Sequence, residues 1–289
     1  MRAVVMREFG PPEVLEPAEV AEPEAGPGEV VIEAEFANVT FVETQIRAGR
    51  APHPSLLPAL PAILGNGTGG TVAGRRVVAS LNGTGGYAER VVADAGRLIE
   101  IPDELSLRDA VALLADGRTA LSLVGRAGLA AGETVLVEAA AGGVGTLLVQ
   151  LARQAGARVV ALAGEPGKLA LARDLGADVV FDGVGGEVGR AAFGLLGRGG
   201  RFYPFGMASG SFAPVTPELA AEHGITLLGG GPANAEEAAA LTRRALAEAA
   251  AGRLRPVVGQ EFGLAEASAA HAAIEARATV GKTLLTVPR

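Results

Sequence analysis

The sequence predicts an α/β protein in which a β-rich, barrel-like part is joined to a doubly wound parallel sheet. Three observations point there. In the first third, short runs rich in Val and Ile are separated by Pro and Gly, as strands are by turns. From about Val111 onward, strand-like and helix-like segments alternate, the pattern of crossover units on a parallel sheet. One of the strand-to-helix passages there consists of Ala and Gly with a single Val.

The first part draws its strands from Arg2–Glu8, Glu29–Ala37 and Arg75–Ser80. In the second, Thr134–Ala139 is a short run suited to a buried strand, and Thr146–Gln154 is an apolar helix ending near Gly156. Arg158–Ala163 reads as the next strand, Lys168–Leu175 as a helix stopped by Gly176, and Ala177–Asp182 as a strand. Glu187–Leu196 follows as a helix, then Gly200–Phe205 and Ile225–Leu228 as strands. Asn234 with Glu237 three residues later forms a capping box, which opens an Ala-rich helix closing at Gly252. Val257–Phe262, Leu264–Ala276 and Thr283–Val287 read as strand, helix and strand, and are expected to return to the first domain.

Composition narrows the function. At 289 residues the chain has room for two domains of ordinary size. Charged residues interrupt every apolar stretch before the roughly 18 residues of a membrane span, and the N-terminus carries no secretory pattern, so a cytoplasmic protein without a membrane partner is expected. A net charge of −7 argues against nucleic acid, which needs a concentrated basic surface. With no Cys, and with His53, His223 and His271 far apart and outside any ligand spacing, no metal site is expected.

The chemistry is carried by Ala139-Ala140-Ala141-Gly142-Gly143-Val144-Gly145. A dinucleotide's diphosphate bridge needs bare N–H groups at a helix N-terminus. Side chains at Gly142 or Gly143 would obstruct its approach, and Gly145 lets helix and strand pack closely. Strand before, helix after and a second strand beyond make this a Rossmann-type dinucleotide site. NAD-selective sites place a carboxylate at the end of the second strand, where this chain has Ala163-Gly164. Lys168, one of two lysines with Lys282, is near enough to meet a 2′-phosphate, so NADPH is the expected cofactor, with Gly164 and Lys168 at its adenosine end.

These residues resemble the zinc-free quinone oxidoreductase branch of the medium-chain dehydrogenase/reductase superfamily. The likeness runs through Gly86-Tyr87-Ala88-Glu89, Leu114-Ala115-Asp116-Gly117-Arg118-Thr119-Ala120, the turn from Ala139, Asp182-Gly183-Val184-Gly185-Gly186 and Gly281-Lys282. It implies a GroES-like catalytic domain, 1–112 with 255–289, and a Rossmann NADPH-binding domain, 113–254, with the nicotinamide in the cleft between them. It also implies that Thr119 approaches the nicotinamide, that Gly142 to Gly145 meet the diphosphate, that Phe205-Gly206 lie by the ribose and nicotinamide, and that Lys282 adds a cofactor contact. A small-molecule acceptor and a homodimer, paired through Ile225–Leu228, are expected with it.

Two segments are shorter than in that family. Thr71-Val72 passes at once to Ala73-Gly74-Arg75, and Asp178-Val179-Val180 runs straight into Phe181-Asp182-Gly183, which implies a shortened sheet. Thr40-Phe41-Val42-Glu43-Thr44-Gln45-Ile46-Arg47 also lacks the Asn and Tyr that relatives carry there. Without zinc, a hydrogen-bond donor must stabilise the developing oxyanion, and the candidates are Thr40, Asn66 and Tyr87. Tyr87 is read at least as readily as a packing residue, and Asn66, in Gly65-Asn66-Gly67, as a turn residue ahead of a substrate contact. Asp116 and Arg118 are read as an interdomain ion pair, and Arg47 as a solvated or structural charge. Metal-free reduction of a quinone or enone by NADPH is the leading expectation. A metal-free alcohol dehydrogenase or enoyl-thioester reductase, and a trimmed scaffold or NADPH-binding protein without turnover, are the alternatives.

Overall fold

A computed structural model describes residues 1–81, 83–163 and 176–288. In chain order the strands and helices are β1 (Arg2–Met6), β2 (Leu15–Glu19), β3 (Glu29–Val39), α1 (Phe41–Arg47), β4 (Ala62–Ile63), β5 (Gly67–Val72), β6 (Arg75–Ser80), β7 (Arg90–Asp94), β8 (Ile99–Glu100) and α2 (Leu107–Ala127). There follow β9 (Thr134–Val137), α3 (Gly143–Gln154), β10 (Arg158–Ala161), β11 (Ala177–Asp182), α4 (Gly186–Phe193), β12 (Leu196–Pro204), α5 (Pro217–His223), β13 (Thr226–Leu227), α6 (Ala235–Ala250), β14 (Val258–Gly263), α7 (Ala267–Glu275) and β15 (Lys282–Thr286).

By their contacts these elements form two compact units, Met1–Gly117 with Thr242–Arg289, and Arg118–Leu241. The divisions fall within α2 and α6, whereas the sequence suggests 112/113 and 254/255. A helix that continues through a division leaves no Pro- or Gly-rich mark at it.

The first unit holds a three-stranded sheet, β2-β1-β4, and a larger one ordered β14-β15-β3-β5-β6-β8 with β7 also on β3. The last strand runs antiparallel to β3 with Leu285 opposite Ala37, so β15 joins the larger sheet. Ile32, Val39, Leu64, Val77, Tyr87 and Leu285 fill the core between these strands. The hairpin β5–β6 turns on two residues, Ala73 and Gly74, at φ 48° and 79°. Such a pair matches the natural twist of two adjacent strands, and it is the short passage noted in the sequence.

The second unit is a parallel sheet ordered β10-β9-β11-β12-β13, packed on Leu136, Val180, Phe193, Phe202 and Ile225. The chain leaves β9 for β10 on one side and then crosses to β11 on the other, so the order reverses between β9 and β11. The crevice at the carboxyl ends of the strands at such a reversal is where open sheets of this type bind ligands. Among the described residues no strand lies outside β10, in keeping with the shortened sheet.

Some elements differ from the sequence reading. Helix α3 begins at Gly143, three residues before Thr146, because Gly143 and Gly145 join its first turn. Helix α4 stops at Phe193 and β12 already starts at Leu196, while Ile225–Leu228 gives only the two strand residues of β13. The helix expected over Lys168–Leu175 lies outside the described residues. No described helix is long and apolar enough to cross a membrane.

Candidate functional site

In the second unit the turn after β9 is shaped by its own backbone. Ala139 takes φ 49°, a left-handed conformation that costs a non-glycine residue of order 1 kcal/mol and turns the chain sharply out of the strand. Gly142 caps α3 without a side chain, and its N–H donates to Ala139 O at 2.9 Å. The first-turn amides of Gly143, Val144 and Gly145 have no carbonyl one turn back within the helix, and they sit at the positive end of its dipole. A Cβ on Gly145 would lie 2.2 Å from Ala139 O, so that glycine is required for the fold. Gly142 differs: its φ of −79° is open to any residue, and a Cβ there would be tight, at 3.2 Å from the same oxygen. Ala141 to Val144 are half-buried and reachable.

Two further turns meet this one. Asp182 Oδ1 accepts from the N–H of Val184 at 2.9 Å and of Gly185 at 2.7 Å, which wraps 183–186 around the carboxylate. Phe205 and Gly206 donate their N–H groups to Asp182 O, and a Cβ on Gly206 would stand 2.4 Å from Gly183 O. Gly183 is itself wedged against the Phe205 ring and Ala139. Thr119 and Phe205, far apart in sequence, line one cavity of about 250 Å³ with Ser122, Tyr203, Phe212 and Gly230. Tyr203 steadies its wall by donating to Gly230 O at 2.6 Å. The Ser122 hydroxyl is buried there without a hydrogen-bond partner among the described residues. Gly164 and Lys168, assigned to the adenosine end, lie outside the described residues.

In the first unit a cavity of about 940 Å³ is lined by aliphatic residues such as Val42, Ile46, Leu57 and Ile63, with Glu43 and Asn66 among them. Glu43 gathers two of the three residues that the sequence singles out as donors. Thr40 gives its N–H and its hydroxyl to Glu43 Oε2, at 2.6 and 2.9 Å, and Asn66 N–H reaches Oε1 at 2.6 Å. Burial pushes the Glu43 carboxyl up, while these donors and the charge of Lys282 pull it back. Tyr87 is wholly buried, with its hydroxyl 3.0 Å from His271 Nε2. Its burial and the Glu43 charge raise its pKa well above the usual phenol value. Asn66 Oδ1 accepts from Gly83 N–H, and its side-chain N–H2 is engaged by no described residue.

The sequence reading missed Glu43 as a site residue. The signal was present: Thr40 followed three residues later by Glu is a capping box before α1. Lys282 is buried and its Nζ lies 2.9 Å from Asp116 Oδ1, so the ion pair of Asp116 is with Lys282, inside the first unit, and differs from the interdomain pair with Arg118 that the sequence suggests. Arg47 is a structural charge and not a solvated one, 1% exposed and bonded to Gly10 O and Glu275.

The model of a family described as zinc-binding dehydrogenase matches residues 155–285. Over its length the chain is 31% identical to quinone oxidoreductase-like protein 2 of Bos taurus, covering 99% of this chain and 92% of that one. It is 29% identical to a quinone oxidoreductase of Pseudomonas aeruginosa, with 96% and 97% covered. The quinone oxidoreductase from Thermus thermophilus, solved alone and in complex with NADPH, superposes at a TM-score of 0.81 with 36% identity, covering 99% of this chain and 100% of that one. The chain belongs to the quinone oxidoreductase branch of the medium-chain dehydrogenase/reductase superfamily.

Proposed function

We propose that the protein is an NADPH-dependent reductase that passes hydride to a quinone, enone or related carbonyl-conjugated small molecule without a metal. The observation that carries this reading is the turn at Ala139–Gly145, where bare helix N-terminal amides stand at the reversal of strand order. Glycine at position 142 supports it, since its φ is open to any residue while a side chain there would crowd Ala139 O and obstruct a diphosphate's close approach. The NADPH complex of the Thermus relative supports the choice of cofactor.

When bound, NADPH supplies the hydride. The chain's own groups bind and orient. Ala141 to Gly145 receive the diphosphate bridge, and Gly206 keeps its loop close against Gly183. Thr119, Phe205 and Phe212 wall the small cavity, where the unpartnered Ser122 hydroxyl can meet a polar group of the nicotinamide ribose. Gly164 and Lys168 complete the cofactor contacts in this reading, whereas the Lys282 ammonium, expected there from the sequence, is buried on Asp116.

In the first unit, the Thr40 hydroxyl is given to Glu43 and Tyr87 is sealed in the core, so Asn66 is the candidate with a donor to spare. Its side-chain N–H2, on a residue that lines the aliphatic cavity, is the group assigned to the acceptor oxygen, where a donor matched to developing negative charge lowers the barrier. Carbonyl polarisation by hydrogen bonding suits a chain without cysteine whose histidines are taken up separately, His53 by Ser55, His223 by Leu219 O and His271 by Tyr87. The reading includes a homodimer paired along the β13 edge, for which light scattering is expected to give twice the chain mass.

The test is steady-state cofactor oxidation with a panel of quinones, enones and aldehydes, NADPH and NADH side by side. The expected result is consumption of NADPH with at least one quinone or enone, reduced at least tenfold by Asn66→Ala. Thermal stabilisation by NADPH without oxidation across the panel would instead make the protein a cofactor binder.

A further inference from the structure

Two carboxyl groups meet at the reversal point of the parallel sheet. Strands β9 and β11 are neighbours with Val137 opposite Phe181, so Glu138 and Asp182 are the next residues along each. Glu138 N–H donates to Phe181 O at 3.0 Å. Both residues are buried, at 1% and 0% exposure. Asp182 Oδ1 accepts from Val184 and Gly185, whereas among the described residues Asp182 Oδ2 and both Glu138 oxygens form no hydrogen bond of ordinary geometry, the Val184 N–H being the one donor near enough to Glu138 to hold its pKa down somewhat. No ion pair among the described residues reaches either group. The ionisable residues on the surrounding elements lie elsewhere. On α4, Glu187 is exposed and Arg190 covers the Phe193 ring; on α3, Arg153 is exposed. Asp178 of β11 holds Thr134 N–H, and on β12 Arg198 is exposed, Arg201 binds Glu133 and the Tyr203 hydroxyl is on Gly230 O.

Two buried carboxylates side by side with no cation repel strongly, and a carboxyl proton is the one donor that can satisfy both. We propose that Glu138 is a positioning residue: one proton shared between its carboxyl and Asp182 ties the ends of β9 and β11 together, and so fixes the spacing of the turns at 139–145 and 183–186 that receive the cofactor. The inference rests on the NADPH reading above. Burial, followed by the bond to Asp182 and its charge, pushes the Glu138 carboxyl up to about 9. At neutral pH Glu138 therefore holds its proton, and Asp182 Oδ1 stays with the Val184 and Gly185 amides. Removal of the proton places two charges at the strand ends and separates the turns.

The experiment measures NADPH dissociation constants by cofactor fluorescence from pH 6 to 10, beside infrared spectra of the cofactor-free protein. In the native protein binding is expected to weaken about tenfold between pH 8 and pH 10, because only the protonated pair is competent. Glu138→Gln keeps a donor toward Asp182 and is expected to change less than twofold over that range. A protonated-carboxyl band is expected at pH 7 in the native protein, lost above pH 9 and missing from the Gln variant. If that variant does not fold, Asp182→Asn, whose amide donates to an ionised Glu138, is expected to lose the same band. Absence of the band in the native protein would overturn the proposal, as would parallel pH profiles in native and Gln proteins. A native protein with the band that binds no NADPH at any pH would overturn the function reading and the positioning role, and leave the shared proton standing.

Discussion

Glu43 in the first unit and Glu138 in the second are both fully buried glutamates, and their surroundings are opposite. Glu43 is met by two backbone N–H groups and a hydroxyl, from Thr40 and Asn66. Glu138 is met by another acceptor, Asp182, whose own free oxygen has no donor. Burial raises both carboxyls, but at Glu43 the donors work against it, while at Glu138 the neighbour adds to it. Local donors thus set how far burial raises a buried acid. The two units use these acids differently: Glu43 gathers a loop around a cavity, and Glu138 fastens two strands beneath a turn.

The contrast can be broken at Glu43 with the largest effect. Glu43→Leu removes the acceptor of three half-buried donors, each costing up to about 1–3 kcal/mol when left unpaired. Denaturant unfolding is expected to show a loss of about 4 kcal/mol, and Glu43→Gln about half of it, because one carboxamide oxygen still accepts. A smaller effect is expected from Gly145→Ala, which alters no carboxyl. Its Cβ would collide with Ala139 O, costing about 3 kcal/mol as overpacking does, and NADPH affinity is expected to fall at least a hundredfold in a fluorescence titration.

The smallest effect sharpens the contrast through pH. Glutamate ordinarily titrates at 4.5 and Glu138 at about 9 in the fold. Between these values the unfolded chain holds fewer protons than the native one, so this group makes stability fall as pH rises. The stability gained by Glu138→Gln over the native protein is therefore expected to grow from pH 5 to pH 9 and then level off. His271 slopes the other way. Burial and then Arg47 push it down to about 3 from 6.5, so its contribution is complete above 6.5 and lost as pH falls toward 3. Melting curves of Glu138→Gln and His271→Gln against the native protein across pH 4 to 9 separate the two slopes.

How much of this is legible in the sequence follows from the range of the interactions. The strand, turn and helix at Thr134–Gln154 are local, and the glycines at 142, 143 and 145 mark the phosphate turn within a dozen residues. The return of β15 to β3 can be read because an apolar strand needs a partner sheet. The Glu43 cluster draws on Thr40, Asn66, Tyr87 and Lys282, residues that only the folded sheet brings together, so Thr40 and Tyr87 stand out in sequence while the group they surround does not. Likewise Glu138 reads as a lone acid closing an apolar run, and its pairing with Asp182 depends on the register of two strands some forty residues apart in sequence, β9 and β11. Sequence alone sets the start of α3 late because glycines usually end helices, whereas here they open one.

Cofactor capture by the first-turn amides of α3 is the central claim, and hydrogen exchange tests it directly. Addition of NADPH is expected to slow exchange of the Gly143, Val144 and Gly145 amides at least tenfold, with NADH acting only at higher concentration. Unchanged exchange of those amides in NADPH-saturated protein would contradict it.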